Sequence, residues 1–208
     1  MDDTFPAEMK VVALTGGIAT GKSTAVKILH ELDSGVRVFD SDHSVQDLLG
    51  RPEVLSEISH ALGKSIVLPD GGLDRALLRS LVFGNPNLRK KLEGVLHPMV
   101  RKECLEKLAE YRSNPSTTLF VADVPLLFES GFHFGQEFNL VVATSSATQR
   151  TRLKARSHLE DRMITSILQA QLPIMEKVAC GDVVFWNEGT PAVLSRQLQR
   201  FLNSIFNT

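Results

Sequence analysis

Residues 16–23 read Gly-Gly-Ile-Ala-Thr-Gly-Lys-Ser and match the pattern G-x-x-x-x-G-K-[ST]. In a loop of this kind the backbone N–H groups surround phosphate oxygens, and glycine is needed because a Cβ atom would obstruct that approach. The pattern therefore predicts a nucleotide-binding segment, which we call the phosphate loop. Its predicted nucleotide contacts, which continue into the next residue, are Gly17, Ile18, Ala19, Thr20, Gly21, Lys22, Ser23 and Thr24.

Two side chains of the phosphate loop have predicted chemical roles. Lys22 is expected to reach the β- and γ-phosphates of ATP and to act in catalysis, and the Ser23 hydroxyl is expected to bind Mg²⁺. Thr24 is expected near the α-phosphate. The alternative is a glycine-rich turn that only joins a strand to a helix, but the complete pattern in this context favours nucleotide binding.

A second candidate site is the segment Asp40-Ser41-Asp42, which follows a short apolar run. Phosphoryl transfer to a hydroxyl group needs a carboxylate that orients the acceptor and accepts its proton. We predict that Asp42 is this base. The alternative is that the aspartates cap the following helix, and one could cap while the other catalyses.

Three further charged residues are candidates for the same reaction. Asp123 ends an apolar run and is predicted to lie near Mg²⁺, although an ordinary aspartate at a strand end explains it equally well. Arg152 and Arg156 are four residues apart and can point the same way on a helix. They are predicted to close over ATP, with Arg152 catalytic; the alternative is a solvated basic helix.

The surrounding pattern predicts an α/β fold of the P-loop NTPase type, a five-stranded parallel sheet flanked by helices. Apolar or β-branched runs at residues 9–15, 36–38, 117–124, 140–144 and 182–186 predict the strands, and residues 23–32 predict a helix. The predicted core comprises 1–51 and 114–208, with a helical lid at about 147–178. Residues 52–113 have helical spacing and predict an insertion that binds the acceptor.

Composition limits the possible classes of protein. The 208 residues, 43% hydrophobic and 23% charged, can form a sizeable core, and a net charge of −1 argues against a surface that coats nucleic acid. Cys104 and Cys180 lack the spacing of a zinc or redox motif. Because the chain has an acidic start and no long apolar run, we expect a cytoplasmic enzyme that binds neither membrane nor nucleic acid.

The absence of an N-K-x-D motif argues against a guanine-binding switch, which leaves small-molecule phosphoryl transfer favoured.

Several separated segments resemble dephospho-coenzyme A kinases along nearly the whole chain. The matching segments are ALTGGIATGKST at the phosphate loop, FDSDH at Asp42, Gly72–Arg75 with Leu78–Phe83, the turn-like Leu96-His97-Pro98, Val124–Glu129, Arg152 with Arg156, Gln171, and Asp182 with Asn187–Gly189. The resemblance implies transfer of the γ-phosphate of ATP, with Mg²⁺, to the ribose 3′-hydroxyl of dephospho-coenzyme A. Two alternatives remain: another nucleoside or nucleotide kinase, or a nucleotide-binding regulator without turnover.

The resemblance also assigns roles to individual residues. It places Asn187 at the adenine pocket and assigns Arg75, His97, Leu126 and Glu129 to the acceptor pocket. Simpler explanations remain for three of them: Arg75 forms a local ion pair, His97-Pro98 is a helix-breaking turn, and Glu129 is a surface carboxylate.

The chain departs from the family pattern at two places. Ala19 stands where a loop glycine is common, which is acceptable at negative φ and strained at positive φ. After Gln171 the expected arginine is missing, so a lid contact is either lost or supplied by Lys177. Pro173 is expected to kink or end the helix there, because proline lacks an amide donor.

Overall fold

The computed structural model describes residues 8–157 and 160–206, so the acidic start of the chain lies outside the described residues. Within them a sheet is formed by five strands: β1 (Lys10–Gly16), β2 (Val36–Asp40), β3 (Leu119–Asp123), β4 (Phe138–Ala143) and β5 (Val183–Trp186). These strands coincide closely with the five predicted ones.

The strand order in the sheet is β2-β3-β1-β4-β5. β1 pairs in parallel with β3 and with β4, and β4 pairs in parallel with β5. Strands covered on both faces read as nearly continuous apolar runs, and every residue of β3 is buried. The predicted five-stranded parallel sheet is confirmed.

Helices connect and cover these strands. They are α1 (Lys22–Leu32), α2 (Ser41–Leu48), α3 (Pro52–Leu62), α4 (Arg75–Val82), α5 (Pro86–Arg112), α6 (Leu127–Ser130), α7 (Ser146–Ser157), α8 (Asp161–Gln169), α9 (Ile174–Cys180) and α10 (Pro191–Phe206). Among the helices described, none has the length and apolar character required to cross a membrane.

The main core lies between one face of the sheet and helices α1 and α10. Leu14 of β1 packs in one cluster with Leu29 of α1 and with Leu194, Leu198 and Phe201 of α10. A smaller cluster on β4 contains Ile174, the first residue of α9. These contacts fix the ends of the strands and therefore the loops that follow them.

The chain divides into two compact units. The first contains the described residues up to Phe39 and from Lys107 onward, and it holds the phosphate loop. The second, Asp40–Glu106, contains α2, α3, α4 and most of α5. Inside it Glu103 of α5 accepts hydrogen bonds from the Ser44 hydroxyl at 2.6 Å and from Arg51 at 2.5 Å. The predicted limits of the acceptor insertion, 52 and 113, stay a prediction.

Pro173 and Pro98 have different effects on their helices. Pro173 was expected to kink or end a helix, and α8 indeed ends at Gln169 while Pro173 directly precedes α9. The turn expected at His97-Pro98 is wrong, because both residues lie inside α5. The proline ring crowds the carbonyl group four residues earlier, and that residue is Gly94, which has no side chain to add to the crowding.

Candidate active site

The phosphate loop joins the end of β1 to the start of α1. Thr20 closes it internally, because its hydroxyl and its backbone N–H donate to the Gly17 carbonyl at 2.8 and 3.3 Å. Gly21 precedes α1 in the left-handed conformation, with φ of 99°. The loop therefore ends at the N-terminus of α1, where the helix dipole favours an anion.

Ala19 also has positive φ, at 60°, and among the described residues it is the only non-glycine that does. This is the strained case that the sequence left open. A left-handed conformation costs an L-residue with a Cβ atom about 1–2 kcal/mol, so the surrounding contacts must hold the loop in this shape.

Lys22 forms an ion pair with Asp123, which ends β3. The two side chains are only 16% and 10% exposed. The parallel pairing of β1 with β3 brings these residues together, because the carboxyl ends of both strands lie at the same edge of the sheet. Lys22 and Asp123 thus lie together beside the loop, and their contacts with phosphate and metal stay predictions.

Arg152 of α7 contacts the loop backbone. Its Nη1 donates to the carbonyls of Ala19 and Thr20 at 3.2 and 3.3 Å, and its Nη2 donates to the Asn187 carbonyl at 2.8 Å. Asn187 is buried and donates from its side chain to the Thr20 carbonyl at 2.8 Å. Arg152 and Asn187 are therefore brought together at the phosphate loop.

The other basic residues of α7 have different surroundings. Arg156 is exposed, Arg150 donates to the Thr165 hydroxyl at 3.0 Å, and Lys154 pairs with Asp161 at 2.7 Å. Thr165 and Asp161 belong to α8, so Arg150 and Lys154 join α7 to α8, whereas Arg152 binds the loop.

Two glutamines bind Ile18 of the loop. The Ile18 N–H donates to Oε1 of Gln171 at 2.9 Å, and Nε2 of Gln149 donates to the Ile18 carbonyl at 2.8 Å. Gln171 was noted from the family pattern, whereas Gln149 was missed. Its position three residues before Arg152 on the same helix was the available signal.

Glu188, which the sequence analysis did not single out, holds the start of α7. Its Oε1 accepts from the Thr144 hydroxyl at 2.6 Å and from the Ser145 N–H, and its Oε2 accepts from the Thr148 hydroxyl at 2.7 Å. Hydrogen bonds from Ser145, Thr144 and Thr148 lower the pKa of this carboxyl to about 2. A charged Glu188 therefore fixes Asn187 and α7, which carry the loop contacts.

The second unit holds three of the predicted residues. Asp40 caps α2, because its Oδ1 accepts from the N–H groups of Asp42 and His43 at 2.9 and 3.0 Å. Asp42 lies exposed in the first turn of α2. Arg75 is exposed at the start of α4, and His97 is partly buried in α5.

The remaining predicted acceptor residues, Leu126 and Glu129, lie in the first unit. Leu126 is 43% exposed, whereas Glu129 forms an ion pair with Lys177 at 2.7 Å. Lys177 is completely buried, so its ammonium group contacts Glu129 and not a solvent-facing ligand.

Comparison with known proteins gives a consistent result. The family model described as dephospho-CoA kinase matches residues 10–192. A dephospho-CoA kinase of Anaeromyxobacter dehalogenans is 38% identical over 196 residues, which are 93% of this chain and 91% of the relative.

Solved structures agree. A Thermus thermophilus protein superposes with a TM-score of 0.78 at 31% identity, covering 95% of this chain and 98% of that one. A dephospho-CoA kinase from Campylobacter jejuni superposes with a TM-score of 0.69 at 25% identity, covering 95% and 97%. The chain belongs to the dephospho-CoA kinase family.

Proposed function

We propose that the protein transfers the γ-phosphoryl group of ATP to the ribose 3′-hydroxyl of dephospho-CoA, which gives CoA and ADP in the last step of CoA biosynthesis. The phosphate loop, complete with Lys22 at the first position of α1, is the observation that carries the proposal. The family supplies the identity of the acceptor.

Lys22 is the residue proposed to neutralise charge on the transferring group. Asp123 holds its ammonium group beside the loop before nucleotide binds. When ATP enters, the β- and γ-phosphates offer more negative charge than one carboxylate, so the ammonium group moves to them or is shared. This interaction strengthens as charge develops on the γ-phosphoryl oxygens.

Ser23 and Asp123 are proposed to hold Mg²⁺ together with the phosphates of ATP. Their donors are a hydroxyl and a carboxylate, which suit a hard cation. In residues 8–157 and 160–206, no cluster of three or more His, Cys, Asp or Glu forms a metal cage. With ATP bound, Ser23 and Asp123 would be the residues of the chain that hold the ion, which would supply neutralisation of phosphate charge.

Asp42 is proposed as the base that accepts the proton of the acceptor hydroxyl. Asp40 already uses Oδ1 to cap α2, which leaves Asp42 as the candidate of the pair. Arg152, Arg156 and Asn187 are proposed to bind ATP, and Arg75, His97, Leu126 and Glu129 are proposed to form or support the acceptor site. A cytoplasmic location is proposed because both cysteines are free thiols, which is usual in a reducing compartment.

The test is ADP release from MgATP by the purified protein, with and without dephospho-CoA, combined with mass detection of the product. ADP release that depends on dephospho-CoA, together with formation of CoA, supports the proposal. Faster release with another nucleoside or nucleotide would indicate a different small-molecule kinase. ATP binding without ADP release for any acceptor would indicate a regulator.

A further inference from the structure

Lys177 of α9 is completely buried, yet it carries an ionisable amine. Its Nζ lies 2.7 Å from Oε1 of Glu129 and donates to Oε2 at 3.0 Å and to the Pro125 carbonyl at 2.8 Å. Removing an ammonium group from water is unfavourable unless its partners are well placed. Both oxygens of Glu129 and the Pro125 carbonyl are the partners that compensate this buried ammonium group.

Glu129 makes a second contact that extends the effect of Lys177. Its Oε1 accepts from the Leu172 N–H at 2.9 Å, and Leu172 lies between α8 and α9. The Pro125 carbonyl also accepts from the Thr15 hydroxyl at 3.1 Å, next to the phosphate loop. The ion pair therefore ties the segment between α8 and α9 to the end of β1 and to the residues after β3.

Gln171 precedes Leu172 and binds the phosphate loop. Its Oε1 accepts from the Ile18 N–H at 2.9 Å, while Gln149 donates to the Ile18 carbonyl at 2.8 Å. These partners also fix the orientation of both carboxamides, because an N–H needs an oxygen and a carbonyl needs an NH₂ group. Ile18 is thus held from two sides, directly before Ala19 with its φ of 60°.

We propose that the buried ion pair of Lys177 with Glu129 is a positioning element for ATP binding, which acts by holding Gln171 on the Ile18 amide of the phosphate loop. Ala19 needs such restraint, because a strained conformation persists only where its surroundings determine it. When the restraint is removed, the loop relaxes and its amides no longer converge on the phosphates. The inference rests on the proposed function only through its use of ATP.

The experiment is a double-mutant cycle with Gln171→Met and Lys177→Met, read by calorimetric titration of MgATP without acceptor. Each substitution keeps an unbranched chain of similar length. Loss of one hydrogen bond of ordinary strength predicts a rise in Kd of about fivefold for each single variant. Because both act through the same contact, the double variant is also expected near about fivefold, instead of about 25-fold.

A matched control is Lys154→Met, which removes a lysine from an ion pair of the same length, 2.7 Å, but with side chains 52% and 69% exposed. Its Kd for MgATP is expected to be unchanged. In the transfer assay, the KM for ATP should rise in both test variants. The KM for dephospho-CoA should stay constant in Gln171→Met, because the Gln171 carboxamide binds the phosphate loop. If Lys177→Met does not fold, Lys177→Met with Glu129→Gln removes both charges and leaves no unpaired buried ion.

Three outcomes would overturn the proposal: lower thermal stability of the Lys177 variants with unchanged Kd, additive effects in the double variant, or no MgATP binding by the unaltered protein. The proposed function fails separately, if the cycle behaves as expected but dephospho-CoA does not increase ADP release.

Discussion

The Nδ2 atom of Asn187 lies so close to Gly21 that a Cβ atom on this glycine would overlap with it. The same side chain donates to the Thr20 carbonyl at 2.8 Å, so the residue after β5 packs directly against the phosphate loop. Gly21 also has φ of 99°, which is unfavourable for residues with a side chain. Two independent constraints thus require glycine at this position.

Gly21→Ala is expected to lower the free energy of unfolding by about 2–4 kcal/mol, since overpacking and left-handed backbone strain add. Gly63→Ala is the matched control, because Gly63 has φ of 68° and a Cβ atom there would meet none of the described atoms within 4 Å beyond its neighbours in the chain. It should cost only about 1 kcal/mol. Urea unfolding measures both values, and equal losses would show that the contact with Asn187 contributes nothing.

Ala19→Gly is expected to increase the free energy of unfolding by about 0.5 kcal/mol. Relief of the positive φ of 60° outweighs the greater freedom of glycine in the unfolded chain. Ala155→Gly, at an exposed position of α7, should instead lower it by about 0.5–1 kcal/mol. Urea unfolding distinguishes the two signs, and a loss of stability in Ala19→Gly would contradict the strain at this residue.

Asp42→Asn is expected to reduce kcat for CoA formation by about 10²–10⁴-fold, because the amide cannot accept the proton of the hydroxyl. The Kd for MgATP should stay the same. Asp40→Asn is the control, since asparagine is an equally good helix cap and the fold should be retained. Steady-state kinetics measure kcat, and calorimetry measures the Kd for MgATP. Unaltered turnover of Asp42→Asn would disprove the role of Asp42 as base.

The parts of the fold that follow from local sequence were predictable. Apolar runs indicated each strand, and the glycine pattern placed the phosphate loop before a helix, because strand burial and turn geometry depend on neighbouring residues. The two candidate aspartates were also visible, but only the structure shows that Asp40 caps α2.

The contacts that hold the loop were harder to predict, since they join distant parts of the chain. Gln149 and Gln171 lie 131 and 153 residues after Ile18, and Glu188 binds Thr144 over 44 positions. Such pairs depend on which strands become neighbours in the sheet. No local pattern shows that strand order, so the contact of Glu188 was missed. For Gln149 the local sequence offered only its position three residues before Arg152 on one helix.

Glu188 makes folding depend on pH in a defined direction. Its pKa is about 2 in the folded protein, below its ordinary value of 4.5, because Ser145, Thr144 and Thr148 donate hydrogen bonds to the charged form. The folded state therefore favours the ionised carboxylate. The resulting stabilisation is complete above the ordinary pKa of 4.5. It disappears as pH falls through the folded-state pKa of about 2.

Glu188→Gln should therefore be less stable than the unaltered protein at pH 7, and the difference should shrink between pH 4.5 and about 2. Urea unfolding across this pH range measures the difference in free energy. Glu57→Gln, at an exposed position within α3, is the control and should show little difference at any pH. If the stability difference for Glu188→Gln stays constant down to pH 2, the loss comes from the different hydrogen-bonding groups of the amide. The negative charge of Glu188 then does not hold the start of α7.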